Sequence, residues 1–398
     1  MSKVIPVHDP GSARSTAPQL KAFLELGFRP LYIAGCAWAL VSILLWIFTP
    51  QVLTGPLGGV AWHAHEMLWG FVATIAVGFL LTASATWTGF NPLKGWGLAL
   101  ACLLWIVARA GFLAGGPTAF MIACAAETAF FALAAITLAR VMLKGKSKRN
   151  YGIPVLVAGL GGANILFLHA ARSGDYIVLM HYFEQGLICM AIIALLVARR
   201  VIPFFAMRAT PGLQIPMLTR SGHVQLAAGV IAIATGLASL AIPTAVLLTI
   251  IGVISLYQLI RWKPHAVLSN PLLWILYVGY ALMGIGLLLA AAHVAGLGSI
   301  AFARAATHIH VIGMGGFAVL IIGMVTRTAL GHLGRPLVLD KSMVVCYWLM
   351  LAAVVFRLAA LWPSGATLML LHTAAALWIL LFALYLWRFT PMLIRPRP

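Results

Sequence analysis

Apolar residues fill this chain in blocks about as long as a bilayer is thick, and only brief polar or Gly/Pro-rich stretches separate them. A helix needs about 20 mostly apolar residues to cross a membrane. With Gly, Pro and charged residues taken as boundaries, the pattern predicts twelve spans. They lie near 30–48, 62–87, 95–114, 118–142, 151–171, 177–201, 222–240, 243–260, 271–295, 302–326, 341–361 and 365–389. The connections leave no room for a separate soluble domain, and no internal repeat is visible. The predicted fold class is all-α: a polytopic integral membrane protein of twelve transmembrane helices. A basic N-terminal segment (1–29) precedes a single transmembrane domain (30–389), and a short tail (390–398) follows it.

Composition agrees with the pattern. Of 398 residues, 63% are hydrophobic and 8% charged, against roughly 45–50% and about 25% in soluble proteins. Soluble classes are therefore excluded. The net charge of +19 would suggest nucleic acid in a soluble protein. In a membrane protein it records orientation, because basic residues collect in cytoplasmic loops. With the N-terminus inside, 22 of the 26 Lys and Arg fall in cytoplasmic segments. Arg172 and Arg304 lie in outer segments, and Arg109 and Arg357 lie within spans. This bias predicts both termini in the cytoplasm and no nucleic-acid partner. The five cysteines sit in apolar runs without C-x-x-C spacing and read as packing residues. Ile33-Ala34-Gly35-Cys36 resembles a lipoprotein box, but it precedes its apolar stretch, so the first helix reads as an uncleaved span.

Helix direction then gives depth. His63 and His65 open helix 2 at its outer end, and His181 opens helix 6. His308 and His310 lie in the outer third of helix 10, His169 and His293 end helices 5 and 9, and His372 is two turns into helix 12. Eight of the twelve histidines thus share one outer layer, while His8, His223, His265 and His332 fall elsewhere. Ionisable residues at membrane depth are costly and mark function. Neutral imidazole is the commonest metal ligand and also an axial haem ligand, so the layer reads as a ligand cluster. Singly, each histidine could equally be a satisfied interfacial residue.

Two spacings sharpen the picture. His63-x-His65 and His308-x-His310 are i,i+2 pairs, whose members point to nearly opposite sides of a helix. Each pair serves two sites, or one site and a supporting contact. The glycines after His310 (Gly313, Gly315, Gly316) admit either a flat macrocycle or close helix packing. Glu184 shares a face with His181, Glu66 adjoins His65, and Glu127 is a further buried acid; Glu184 and Glu66 are the candidate proton donors. Arg109, Arg304 and Arg357 suit bidentate pairing with carboxylates, either haem propionates or these glutamates.

Three segments together resemble the NnrS family. They are Trp62-His63-Ala64-His65-Glu66-Met67-Leu68-Trp69-Gly70-Phe71, His181-Tyr182-Phe183-Glu184-Gln185-Gly186 with Arg199-Arg200-Val201-Ile202-Pro203-Phe204-Phe205 behind it, and Thr307-His308-Ile309-His310-Val311-Ile312-Gly313-Met314-Gly315. The resemblance covers nearly the whole chain. It implies a protein of the bacterial inner membrane containing b-type haem and copper, associated with denitrification and nitric oxide tolerance. More distantly, the helix 2 His, the helix 6 His near an acid and the H-x-H of helix 10 resemble the catalytic subunit of haem–copper oxidases and nitric oxide reductases. Carried over, that likeness pairs His63 or His65 with His310 on one haem, gives His308 a second haem, and gives His181 copper. Those enzymes place two adjacent histidines in helix 7, where this chain has only His223, so further copper ligands would come from His169, His293 or His372.

The expected function is a redox protein that binds nitric oxide and reduces it with electrons from quinol or another carrier. A non-catalytic sensor or scavenger is the second reading and a secondary transporter the third. The outer-layer bias and missing repeat count against the transporter. The chain has no C-x-x-C-H motif for a c-type haem.

Overall fold

The computed structural model describes residues 17–297 and 305–397. Every regular element among them is helical. Twelve long helices follow the order α1 Phe28–Phe48, α2 Gly59–Thr88, α3 Trp96–Ala114, α4 Pro117–Lys144, α5 Gly152–Ser173 and α6 Tyr176–Ala209. They continue with α7 Thr219–Leu237, α8 Ala241–Arg261, α9 Pro271–Val294, α10 Ala306–His332, α11 Lys341–Ala359 and α12 Thr367–Leu393. Eleven are long and apolar enough to cross a membrane. The exception is α7, whose first seven residues, Thr-Arg-Ser-Gly-His-Val-Gln, dilute its hydropathy.

An even number of crossings follows from where the chain ends meet. Arg29, at the start of α1, donates from Nη1 to the carbonyls of Leu393 (3.0 Å) and Arg395 (2.6 Å) at the end of α12. Gln19 N donates to Ile394 O at 2.9 Å. The start of the first helix and the end of the last therefore share one end of the bundle. Eleven crossings would separate them; α7 supplies the twelfth.

Consecutive helices pack as neighbours, except that α2 packs more closely on α4 than on α3, and α12 closes back on α1. Inside this ring α2, α6 and α10 touch one another, so the innermost helices are spaced four apart in sequence. Burial separates the layers: 83% of the most apolar stretch of α2 and 72% of those of α6 and α10 are buried, against 28% for α12. Apolar side chains on α12 face the lipid, where they cost nothing. The histidine motifs lie on the inner helices.

Predicted boundaries hold to within a few residues, with two extensions. The α6 helix continues past 201 to Ala209, because Pro203 sits inside it rather than ending it. The α10 helix continues to His332. Both inner helices that carry H-x-H also change winding. Glu66–Ala73 of α2 and Val311–Ala318 of α10 are π-helical. Each begins at the residue after the second histidine, and the two segments touch. Isolated π turns in α-helices concentrate at functional sites.

Candidate functional site

The i,i+2 geometry separates the histidines as their spacing predicts. On α2, His63 and His65 face different neighbours, and on α10 so do His308 and His310. The result is three groups at one end of the bundle.

The first is a closed ionic network. His65 Nδ1 lies 2.8 Å from Glu66 Oε1, and its Nε2 lies 2.9 Å from Glu127 Oε2 and 3.0 Å from Asn164 Oδ1. Arg109 donates from Nη1 to Glu66 Oε2 at 2.5 Å and from Nη2 to Glu127 Oε1. Trp38 Nε1 donates to Glu66 Oε2 at 2.5 Å, and Asn164 Nδ2 donates to Glu127 Oε2 at 2.8 Å. Two carboxylates thus face one guanidinium and one imidazole, all buried. The members come from α1, α2, α3, α4 and α5, so the network ties five helices together. Gly70 makes room for it: a Cβ there would stand 2.5 Å from Arg109 Nη1 and 2.6 Å from Glu66 Oε2. Of the alternatives for Arg109, pairing with the glutamates is the one the structure contains. Both ring nitrogens of His65 and both oxygens of Glu66 are engaged by protein.

The second group is open. His63 stacks on Trp46 (5.1 Å between centres, planes 9° apart) and faces His310 across 6.5 Å with planes 22° apart. The Nδ1 of His310 is 2.7 Å from Ala306 O. Donation there leaves Nε2 with its lone pair, the usual arrangement of a metal-binding imidazole. Nδ1 of His63 is buried without a partner, as are Trp62 Nε1 and Thr307 Oγ1 beside the motifs. Buried polar atoms are nearly always satisfied, so the unpartnered Nδ1 of His63 at this gap points to something that occupies it. Arg357 of α11 is half-buried, acts electrostatically on both rings, and has no carboxylate partner among the described residues. Gly315 and Gly316 pack against Leu282 and Met283 of α9, which accounts for them as packing residues. Gly313 faces open space.

The third group joins α6, α9 and α10. Glu184 Oε1 lies 3.8 Å from Nε2 of both His293 and His308, and the two rings are 4.9 Å apart. His308 is buried, while Glu184 and His293 retain partial exposure. These are looser than metal–ligand bonds of about 2 Å. Among the described residues, no three His, Cys, Asp or Glu are gathered tightly enough to hold an ion.

The remaining predicted residues stay apart from these groups. His169 is exposed on α5, the His181 ring lies against its neighbour Tyr182, and exposed His372 stacks on Phe48. Arg304 and His8 lie outside the described residues. His223 is exposed at the start of α7, at the opposite end. The partners Asn164 and Trp38 and the two π-helical segments went unread in the sequence. Asn164, a lone amide inside an apolar span, was the available signal for the first of these.

Comparison with protein families matches residues 22–397 to the NnrS protein family. The chain belongs to the NnrS family. A comparison with curated proteins finds no match. The family match runs from before α1 to the last residues after α12, so all three histidine groups lie within the NnrS region.

Proposed function

We propose that this NnrS protein is a haem-binding redox protein of the bacterial inner membrane that handles nitric oxide, with its site in the outer half of the bilayer. The observation that carries this reading is the His63–His310 gap. Two imidazoles on opposite sides of one metal ion, at about 2 Å per metal–nitrogen bond, have ring centres about 6 Å apart. The 6.5 Å separation, the Nδ1 donation of His310 to a carbonyl and the unpartnered Nδ1 of His63 all fit that group. His63 and His310 would hold the iron, and unpaired Arg357 would meet its propionates. A haem bound there would supply one-electron storage and transfer.

The residues around it divide the remaining work. The Glu66–Arg109–Glu127–His65 network fixes the start of the π-helical turn, and with it the aim of His63. Glu184, flanked by His293 and His308, is a carboxyl placed to pass a proton between two imidazoles. Reduction to nitrous oxide would consume two nitric oxide molecules, two electrons and two protons, and release one water. Quinol or another carrier would supply the electrons. The basic residues assign the end that carries both termini to the cytoplasm.

The test is an optical and elemental analysis of purified protein, followed by nitric oxide consumption with a reduced donor. Haem absorption with steady turnover is expected. Stoichiometric nitric oxide binding without turnover would make the protein a scavenger or sensor, and absence of haem would favour a transporter.

A further inference from the structure

One motif is not absorbed by this reading: Arg199-Arg200-Val201-Ile202-Pro203-Phe204-Phe205 of α6, at the end of the bundle away from the histidines. Most of its polar contacts are accounted for. Arg200 donates to Asn150 Oδ1 and, at 3.0 Å, to Arg149 O. Phe205 receives the Arg327 guanidinium over its ring at 3.9 Å. Arg199 is different. It is 5% exposed, its Nε is buried without a partner, and among the described residues no hydrogen bond, ion pair or ring contact holds its guanidinium.

A buried charge without a counter-charge is strongly unfavourable. The chain contains only seven acidic residues. Asp9 lies outside the described residues, and the other six are committed elsewhere. Glu66 and Glu127 pair with Arg109, Glu184 sits between His293 and His308, and Asp340 pairs with Arg388. Asp175 caps α6 at its far end, and Glu25 acts on Arg29. The ionisable groups acting on Arg199 are instead Arg149, Arg200 and the Tyr280 phenol, whose proton goes to Gln258 Oε1.

The guanidinium also packs on the first turn of α7. A Cβ on Gly222 would stand 2.2 Å from Arg199 Nε and 2.4 Å from its Cζ, so a side chain there would displace the guanidinium. That helix start has no side-chain cap; its preceding residue, Leu218, takes a left-handed conformation (φ 44°). Uncapped N–H groups and the positive end of the helix dipole therefore join the Arg199 guanidinium, on which Arg149 also acts. We propose that Arg199 anchors a binding site for a phosphate-type oxyanion, completed by Arg149 and the first turn of α7. Planar guanidinium forks match such oxygens bidentately. Arg199 lies about 35 Å along α6 at about 1.5 Å per residue, just beyond a hydrocarbon core about 30 Å thick. That depth suits either a lipid phosphate or a free phosphate from the adjoining water.

Two arms separate these sources, using the full chain in neutral detergent. In the first, thermal unfolding is followed against inorganic phosphate at constant ionic strength. In the second, the protein is extracted from vesicles of phosphatidylcholine with or without phosphatidylglycerol, and retained lipid is counted by native mass spectrometry. Wild type should respond saturably in at least one arm. Arg199→Gln should weaken that response about tenfold or more, the scale of a lost charge-assisted contact. Arg199→Lys should fall between the two, and exposed Arg208→Gln should match wild type. Response to phosphate identifies a free anion, and response to phosphatidylglycerol alone identifies a lipid. Gly222→Ala, which displaces the guanidinium, gives a second route should Arg199→Gln fail to fold. No response of wild type in either arm, or equal responses in wild type and Arg199→Gln, overturns the proposal.

Discussion

The His63-x-His65 and His308-x-His310 pairs have the same spacing, sit on inner helices and precede the same change to π-helical winding, yet their outward-turned members meet opposite surroundings. His65 is sealed: two carboxylates and an amide engage its ring nitrogens, and Phe112, Phe167 and Trp69 surround the ring. His308 meets one carboxylate at 3.8 Å beside a partly exposed His293. The inward members, His63 and His310, face each other. A shared motif has thus been put to two uses. On the proposed reading the α2 pair builds a rigid wall and would supply one ligand; the α10 pair would supply the other and places buried His308 beside a partly exposed carboxylate. The difference comes from neighbouring helices, since α3, α4 and α5 bring Arg109, Glu127 and Asn164 only to the α2 side.

The comparison can be broken most forcefully at its closed side. Glu127→Ala leaves Arg109 and His65 buried with too little counter-charge, a loss of about 3–5 kcal/mol. It should show as a large drop in thermal midpoint and yield. Gly70→Ala, which drives a methyl into Arg109 and Glu66, should behave similarly and cost about 1–3 kcal/mol. An unchanged midpoint in both variants would mean that the network is not the wall described. On the open side the effect should move from stability to cofactor. Glu184→Gln should leave folding and haem absorption intact while slowing nitric oxide consumption, and a normal rate would remove Glu184 from proton delivery. The smallest effect is expected outside both groups: exposed His223→Ala should change neither metal content nor midpoint.

Much of this was legible in the sequence because a bilayer imposes simple rules. Apolar blocks of spanning length gave every helix. The i,i+2 spacing gave the divergence of each histidine pair. Helix α6 was cut short at 201 because Pro203 reads as a terminator, whereas helices in lipid tolerate proline where neighbours resatisfy the backbone. The π-helical segments were invisible, since an apolar run such as Val311–Ala318 carries the same residues in either winding. The destination of each histidine was also out of reach. Spacing along α2 shows that His63 and His65 diverge, but which of them meets Glu127 depends on how α4 packs. The same holds for Arg199, whose lack of a counter-charge among the described residues appears only when their six acids have been placed.

The central claim is that His63 and His310 face each other as two ligands of one haem, while His65 belongs to the protein's own framework. Its most direct test is the optical spectrum of purified His63→Ala, His310→Ala and His65→Ala proteins beside wild type, each normalised to folded protein. The account predicts that the first two lose the haem signal of a doubly histidine-ligated iron at near-normal stability. Folded His65→Ala should keep that signal despite a lowered midpoint. Loss of the signal in His65→Ala with retention in His63→Ala would contradict it.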